Sequence, residues 1–140
     1  MDGGGLISHL LDTCAFLDLL TERWDRGVAF DQFQTARAPV LLSISVWEMA
    51  RKLKKGKLDL PCDGSELLAF VQEVCTRFRI ELLPLSPEVC WHAENLPNLH
   101  PDPFDRMILA QAHLAKCPVI TCDQKFQGYP VKILWHRNPV

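Results

Sequence analysis

Four carboxylates stand where hydrolytic chemistry can use them. They are Asp12 in Leu10-Leu11-Asp12-Thr13, Glu48 in Val46-Trp47-Glu48, Asp105 in Asp102-Pro103-Phe104-Asp105, and Asp123 in Thr121-Cys122-Asp123. Two carboxylates about 5 Å apart repel by roughly 3 kcal/mol at an effective dielectric of about 20, so a cluster of four folds only with protons or cations to neutralise it. Hard oxygen donors of this kind suit Mg²⁺ or Mn²⁺. A cluster so neutralised draws in a phosphodiester, polarises it and activates a water for in-line attack, with one ion or two sharing the work. That chemistry requires no histidine.

The elements around these acids decide whether they meet. Apolar runs at 7–11, 40–44, 80–83, 119–122 and 131–135 read as strands, each bounded by polar or turn-forming residues. Helical patterns lie between them: about 14–24, from Ser45 to near Gly56, and from 64–66 through Phe78. The last of these carries Leu67, Leu68, Phe70, Val71, Val74, Cys75 and Phe78 at the spacing of one buried face. Ser86-Pro87-Glu88 opens another helix, running to about Asn95, with a cap and a proline at the first helical position; Asp102-Pro103 opens the next, running to about Lys116. Strands alternating with helices predict an α/β fold, a three-layer sandwich around a parallel sheet of four to five strands. Ligands of such sheets sit beyond the carboxyl ends of the strands. Asp12 and Asp123 directly follow strands there, while Glu48 and Asp105 lie within a helical turn of the same edge.

Each acid also has a structural reading. Asp12 and Asp102 suit helix N-caps, Asp105 complements a helix dipole, Glu48 suits a solvated helix face, and Asp123 suits a turn. Their joint placement favours the chemical reading.

These motifs resemble those of PIN-domain nucleases. The resemblance rests on Leu10-Leu11-Asp12-Thr13, on Ser45-Val46-Trp47-Glu48-Met49-Ala50 with Gly56-Lys57-Leu58, on the run from Asp102-Pro103-Phe104-Asp105-Arg106 to Ala112, and on Thr121-Cys122-Asp123 with Phe126. The D-P-F-D-R block joined to T-x-D is its most specific part and is similar to that of VapC-like toxin nucleases. The resemblance implies a metal-dependent endoribonuclease using Mg²⁺ or Mn²⁺, silenced by a cognate antitoxin and forming a homodimer. It places the acidic ligands on Asp12, Glu48, Asp105 and Asp123. Thr13 and Thr121 become supporting hydroxyls, and Asp102 chiefly a cap. Cys14 departs from the family's frequent histidine after the Asp-Thr pair. A non-catalytic binding module of the same fold, or a structure-selective DNA nuclease, stands as the alternative. A phosphoacceptor or a dinucleotide-binding domain fits poorly, because the required lysine and the glycine-rich loop are missing.

Five of the seven residues from 51 to 57 are basic: Arg51, Lys52, Lys54, Lys55 and Lys57. They suit either a solvated helix end or contact with RNA phosphates. Arg106 suits phosphate contact or pairing with a nearby carboxylate. A net charge of −2 provides no general attraction for nucleic acid, so a local patch or metal must supply it. The six cysteines lack a C-x-x-C pair and read as free, buried, apolar residues. The four tryptophans read as core, and the five histidines show no zinc-binding spacing. No apolar run reaches the roughly 20 residues needed to span a bilayer. Residues 1–5 read as a flexible lead without secretory features, 6–136 as the domain and 137–140 as a tail, which points to a cytoplasmic protein.

Overall fold

Each strand core pairs neighbouring apolar residues that face opposite ways, and this alternation builds two hydrophobic layers. The computed structural model describes residues 7–140, so the expected flexible lead at 1–5 lies outside the described residues. The strands are β1 (His9–Leu11), β2 (Pro39–Leu42), β3 (Glu81–Leu83), β4 (Val119–Thr121) and β5 (Ile133–Trp135). The helices are α1 (Thr13–Leu20), α2 (Val28–Gln34), α3 (Ile44–Lys54), α4 (Leu67–Phe78), α5 (Pro87–Asn95) and α6 (Pro103–Ala115). Short 3₁₀ turns at Gly64–Glu66 and Gln124–Phe126 complete the regular structure.

All strand pairs are parallel, in the order β3-β2-β1-β4-β5. Leu10, Val40 and Val119 point into a layer completed by Val89, Ala93, Ile108 and Leu109 of α5 and α6. Leu11, Leu41, Ile120 and Leu134 point into the other, against Phe16, Met49, Val71 and Val74 of α1, α3 and α4. The fold is therefore the expected α/β sandwich, with five strands. From β1 the chain builds outward to β2 and β3, then crosses back to place β4 on the other side of β1. The crevice at the carboxyl ends of β1 and β4 is thus the switch point where parallel sheets bind ligands.

Several local expectations change. The first helix ends at Leu20 rather than near Trp24, because Glu22 turns into the left-handed region at φ +54°. Trp24 instead packs beside Phe33 and His136 and donates its indole N–H to Ala15 O. Helix α2, only seven residues long, has no sequence prediction to match it. Leu68 leaves the buried face of α4 and is exposed. Of the tryptophans expected in the core, Trp47 is 55% and Trp91 69% exposed, since both sit on outward faces of their helices. All six cysteines are free, yet Cys90 on α5 is exposed and Cys14 and Cys62 are half-buried. Residues 137–140 run back to the sheet edge, where Val140 N–H donates to Cys122 O and Gln124 N–H to Val140 O.

Candidate active site

Asp12 leaves β1 and caps α1, which explains why it lies on the crevice with its carboxylate fixed. Its Oδ1 accepts the Ala15 N–H at 2.7 Å, and its Oδ2 accepts the Thr121 hydroxyl at 2.5 Å. Thr121 ends β4, next to β1, so the bond also ties the two strands beneath the crevice. Thr13, one residue on, donates to Glu48 Oε1 at 2.6 Å and lies 2.8 Å from Ser45 Oγ. Glu48 is only 6% exposed, which removes the solvated reading, and Lys52 one turn later meets its Oε2 at 3.0 Å.

Asp105 stands in the first turn of α6, whose cap is Asp102 through a bond from Phe104 N–H at 2.8 Å. Asp123 follows β4 and accepts the Lys125 N–H at 2.9 Å. Between Asp105 and Asp123 lies His100, which is 3% exposed. Its Nε2 is 2.8 Å from Asp123 Oδ2 and 3.2 Å from Asp105 Oδ2. The His100 ring is held by Phe126, edge-on at 5.5 Å, and its Nδ1 accepts the Asp102 N–H at 3.2 Å. Asp12, Glu48, Asp102, Asp105 and Asp123, with Thr13 and Lys52, line one cleft of about 460 Å³. Every predicted acid therefore faces the same space.

The electrostatics show what that gathering costs. Burial pushes the Asp12 carboxyl up to about 7, and the charges of Glu48 and Asp123 push the same way. The bonds from Thr121 and Ala15 oppose the rise without cancelling it. Burial pushes Asp105 up further, to about 9, reinforced by Asp102, Asp12, Glu48 and Asp123. With no cation these groups favour their protonated forms, and a hard divalent ion would replace those protons with matching charge. The carboxylates suit such an ion, and the ligand atoms of Asp105, Asp123 and His100 lie within 4.8 Å of one another. Lys52 supplies part of the countercharge: burial works against its charged form, but the bond to Glu48 and the nearby acids raise its pKa.

Not every basic residue joins the site as expected. Lys52 points into the cluster, whereas Arg51, Lys54, Lys55 and Lys57 lie on the exposed end of α3 and the turn after it. Arg51, Lys55 and Lys57 line a smaller adjoining cleft with Phe104, against whose ring Trp47 packs edge-on at 5.3 Å. Arg106 meets neither a phosphate site nor a carboxylate. Its guanidinium instead donates to the carbonyls of Ala93, Leu96 and Pro97, clasping the end of α5 where the helix leaves acceptors unpaired. Sequence reasoning missed His100 and Ser45. His100 lies in no ligand spacing, and its only sequence cue is its place two residues before Asp102.

The fold is an α/β sandwich whose carboxylates gather in a crevice at the β1/β4 switch point, at one edge of a parallel sheet. The chain belongs to the PIN domain family, whose model matches residues 9–132. PIN domains are typically metal-dependent nucleases. No curated protein matches the sequence. Among solved structures, the fold is similar to a toxin–antitoxin complex from Klebsiella pneumoniae, with TM-score 0.64 and 19% identity over 94% of this chain and 99% of that one. It is also similar to VapBC2 from Rickettsia felis bound to a DNA fragment from their promoter, with TM-score 0.69 and 14% identity over 94% and 100%. A third is DNA-bound VapBC from Salmonella typhimurium, with TM-score 0.69 and 17% identity over 94% and 99%.

Proposed function

We propose that this chain is a divalent-metal-dependent endoribonuclease, the toxin component of a toxin–antitoxin pair. The observation that carries the reading is the convergence of Asp12, Glu48, Asp105 and Asp123 on one cleft, with Asp12 and Asp105 holding protons in the absence of a cation. Mg²⁺ or Mn²⁺ bound there would offset the carboxylates, polarise a phosphodiester oxygen and lower the pKa of a water to make it a nucleophile.

The protein's own groups prepare that space. Thr121 and Ala15 fix both oxygens of Asp12, so its remaining lone pairs are aimed before any ligand arrives. Thr13 and Lys52 do the same for Glu48. His100 Nε2 sits between Asp105 and Asp123 and holds a proton between their Oδ2 atoms. Lys52 stands at the cleft edge, placed to meet a phosphate oxygen as well as Glu48. The exposed Arg51, Lys55 and Lys57 beside the partly exposed Trp47 give a strand of RNA a run of phosphate partners and an aromatic face next to the acids. Similarity to the toxin–antitoxin complex from Klebsiella pneumoniae supports a protein antitoxin as the regulator, and a homodimer is proposed with it. No described helix is long and apolar enough to cross a membrane, and a cytoplasmic location is proposed with the rest.

The test is cleavage of total RNA by purified, antitoxin-free protein, with Mg²⁺ or Mn²⁺ against a chelator, beside Asp12→Asn. Discrete metal-dependent products, lost in the variant, are expected. Cleavage of structured DNA but not RNA moves the assignment to a DNA nuclease. Folded protein that cuts neither points to a binding module.

A further inference from the structure

Beside the carboxylate cluster, Cys14, Asp18, Cys122 and His136 each bring one ligand atom into a group whose members all lie within 4.8 Å of one another. We propose that these four residues form a structural zinc site, one that joins α1 to the ends of β4 and β5. None of the four acids proposed for the nuclease belongs to it, although Cys14 and Asp18 line the same cleft.

The fold assembles the group from three places. Cys14 and Asp18 are four residues apart on one face of α1, the spacing at which helical side chains become neighbours. Cys122 directly follows β4 and His136 directly follows β5, and these strands pair in parallel, so the two residues leave the sheet side by side. The donor set is two thiols, an imidazole and a carboxylate, which zinc takes in tetrahedral geometry. Soft sulfur donors separate it from the carboxylate-rich acidic site, so the two sites would select different ions.

Distance discriminates between the two chemistries open to the cysteines. Their sulfurs are 3.3 Å apart. Tetrahedral zinc with Zn–S bonds of about 2.3 Å spaces two sulfurs about 3.8 Å apart, an opening of about 0.5 Å. A disulfide of about 2.05 Å requires them to close by more than 1 Å. The smaller movement is the one toward metal.

Arg137 offsets part of the negative charge gathered here. Arg137 Nε donates to Asp18 Oδ2 at 2.7 Å, and its Nη2 lies 3.7 Å from Cys14 Sγ. It therefore acts as an outer partner that orients the carboxylate and faces a sulfur. On binding, the two thiol protons leave to solvent. Two thiolates and Asp18 then balance Zn²⁺ and Arg137, leaving no net charge. His136 is fully buried, and its Nε2 is 2.8 Å from Asp18 Oδ2. Zinc takes Nε2 without its proton, so on binding the ring proton moves to Nδ1, the atom without a partner among the described residues.

The experiment uses the full chain, purified under a non-thiol reductant and given zinc or cobalt alone. One equivalent of zinc retained through gel filtration is expected. In Co²⁺-loaded protein a sulfur-to-metal charge-transfer band with intense tetrahedral visible bands is expected. Both are lost in Cys14→Ser combined with Cys122→Ser and kept in Asp105→Asn, with circular dichroism confirming that the variants fold. Removing zinc lowers Tm by about 5 °C or more in the wild type. If the double variant fails to fold, alkylation read by mass spectrometry in the wild type decides: zinc protects half-buried Cys14 while exposed Cys90 still reacts. Folded wild type that takes up no zinc and shows no sulfur-to-cobalt band overturns the proposal. So does unchanged alkylation, or a Cys14–Cys122 disulfide in place of metal.

Discussion

Asp105 shows how a single side chain trades stability for chemistry. Its carboxyl is buried among four other acids, and among the described residues only the His100 ring bonds its carboxylate. Asp105→Asn removes the charge while keeping the shape, so the metal-free variant is expected to unfold at a higher denaturant concentration than wild type at pH 8 while losing metal-dependent cleavage. A lower midpoint would show that Asp105 is stabilised by contacts beyond those described. Thr121 acts in the opposite sense. Thr121→Val leaves Asp12 Oδ2 without its donor in a buried setting, and a loss of about 1–3 kcal/mol is expected in urea unfolding. His100→Ala should weaken cleavage without abolishing metal binding, because it removes the group shared by Asp105 and Asp123 and leaves the four carboxylates in place.

The helices carry these residues, and their ends do most of the positioning. Asp12, Asp102 and Asp123 each accept a backbone N–H at the start of a helix or 3₁₀ turn, so the capping role and the site role coincide. Cap and proposed ligand are thus not alternatives here: the capping bond fixes the carboxylate that the proposed site would use. The join between α5 and α6 depends on Arg106, which closes three carbonyls at the end of α5. Arg106→Ala is expected to destabilise by about 1.5–3 kcal/mol in chemical denaturation. Cleavage per folded molecule should be kept, since the guanidinium does not reach the cleft. A selective loss of RNA affinity with unchanged stability would instead restore the phosphate role.

The whole molecule should show its unpaired acidity as a dependence of stability on pH. In the folded chain Asp12 titrates near 7 and Asp105 near 9, whereas both titrate near 3.8 when unfolded. Between those values the folded state holds more protons, so these groups make stability fall as pH rises from about 4, Asp12 until about 7 and Asp105 until about 9. Thermal melts of metal-free protein from pH 5 to 9 are expected to show Tm falling, with a shallower fall in Asp105→Asn. Mg²⁺ or Mn²⁺ should raise Tm more at pH 9 than at pH 5, because the ion replaces protons that are then absent. Parallel slopes for wild type and Asp105→Asn would show that this group is not shifted.

Sequence carried the fold class, the strand positions and the placing of four acids at one sheet edge, because apolar alternation and strand-end carboxylates are local patterns that survive without coordinates. It also carried the caps at Ser86 and Asp102, each set by a residue and its next few neighbours. What it did not carry was contact over distance. His100 meets Asp123 across 23 residues, and His136 meets Asp18 across 118, so no spacing rule could pair them. Helix α2 left no readable trace because seven residues after a glycine are too short for a periodic face. The exposure of Trp47 and Trp91, and the turn of Arg106 toward carbonyls, depended on which way packed helices face. Local pattern decides which elements form and which residues begin them. Only the packing of parallel strands decides which of those residues touch, since neighbours across a sheet are chosen by strand order and not by distance along the chain.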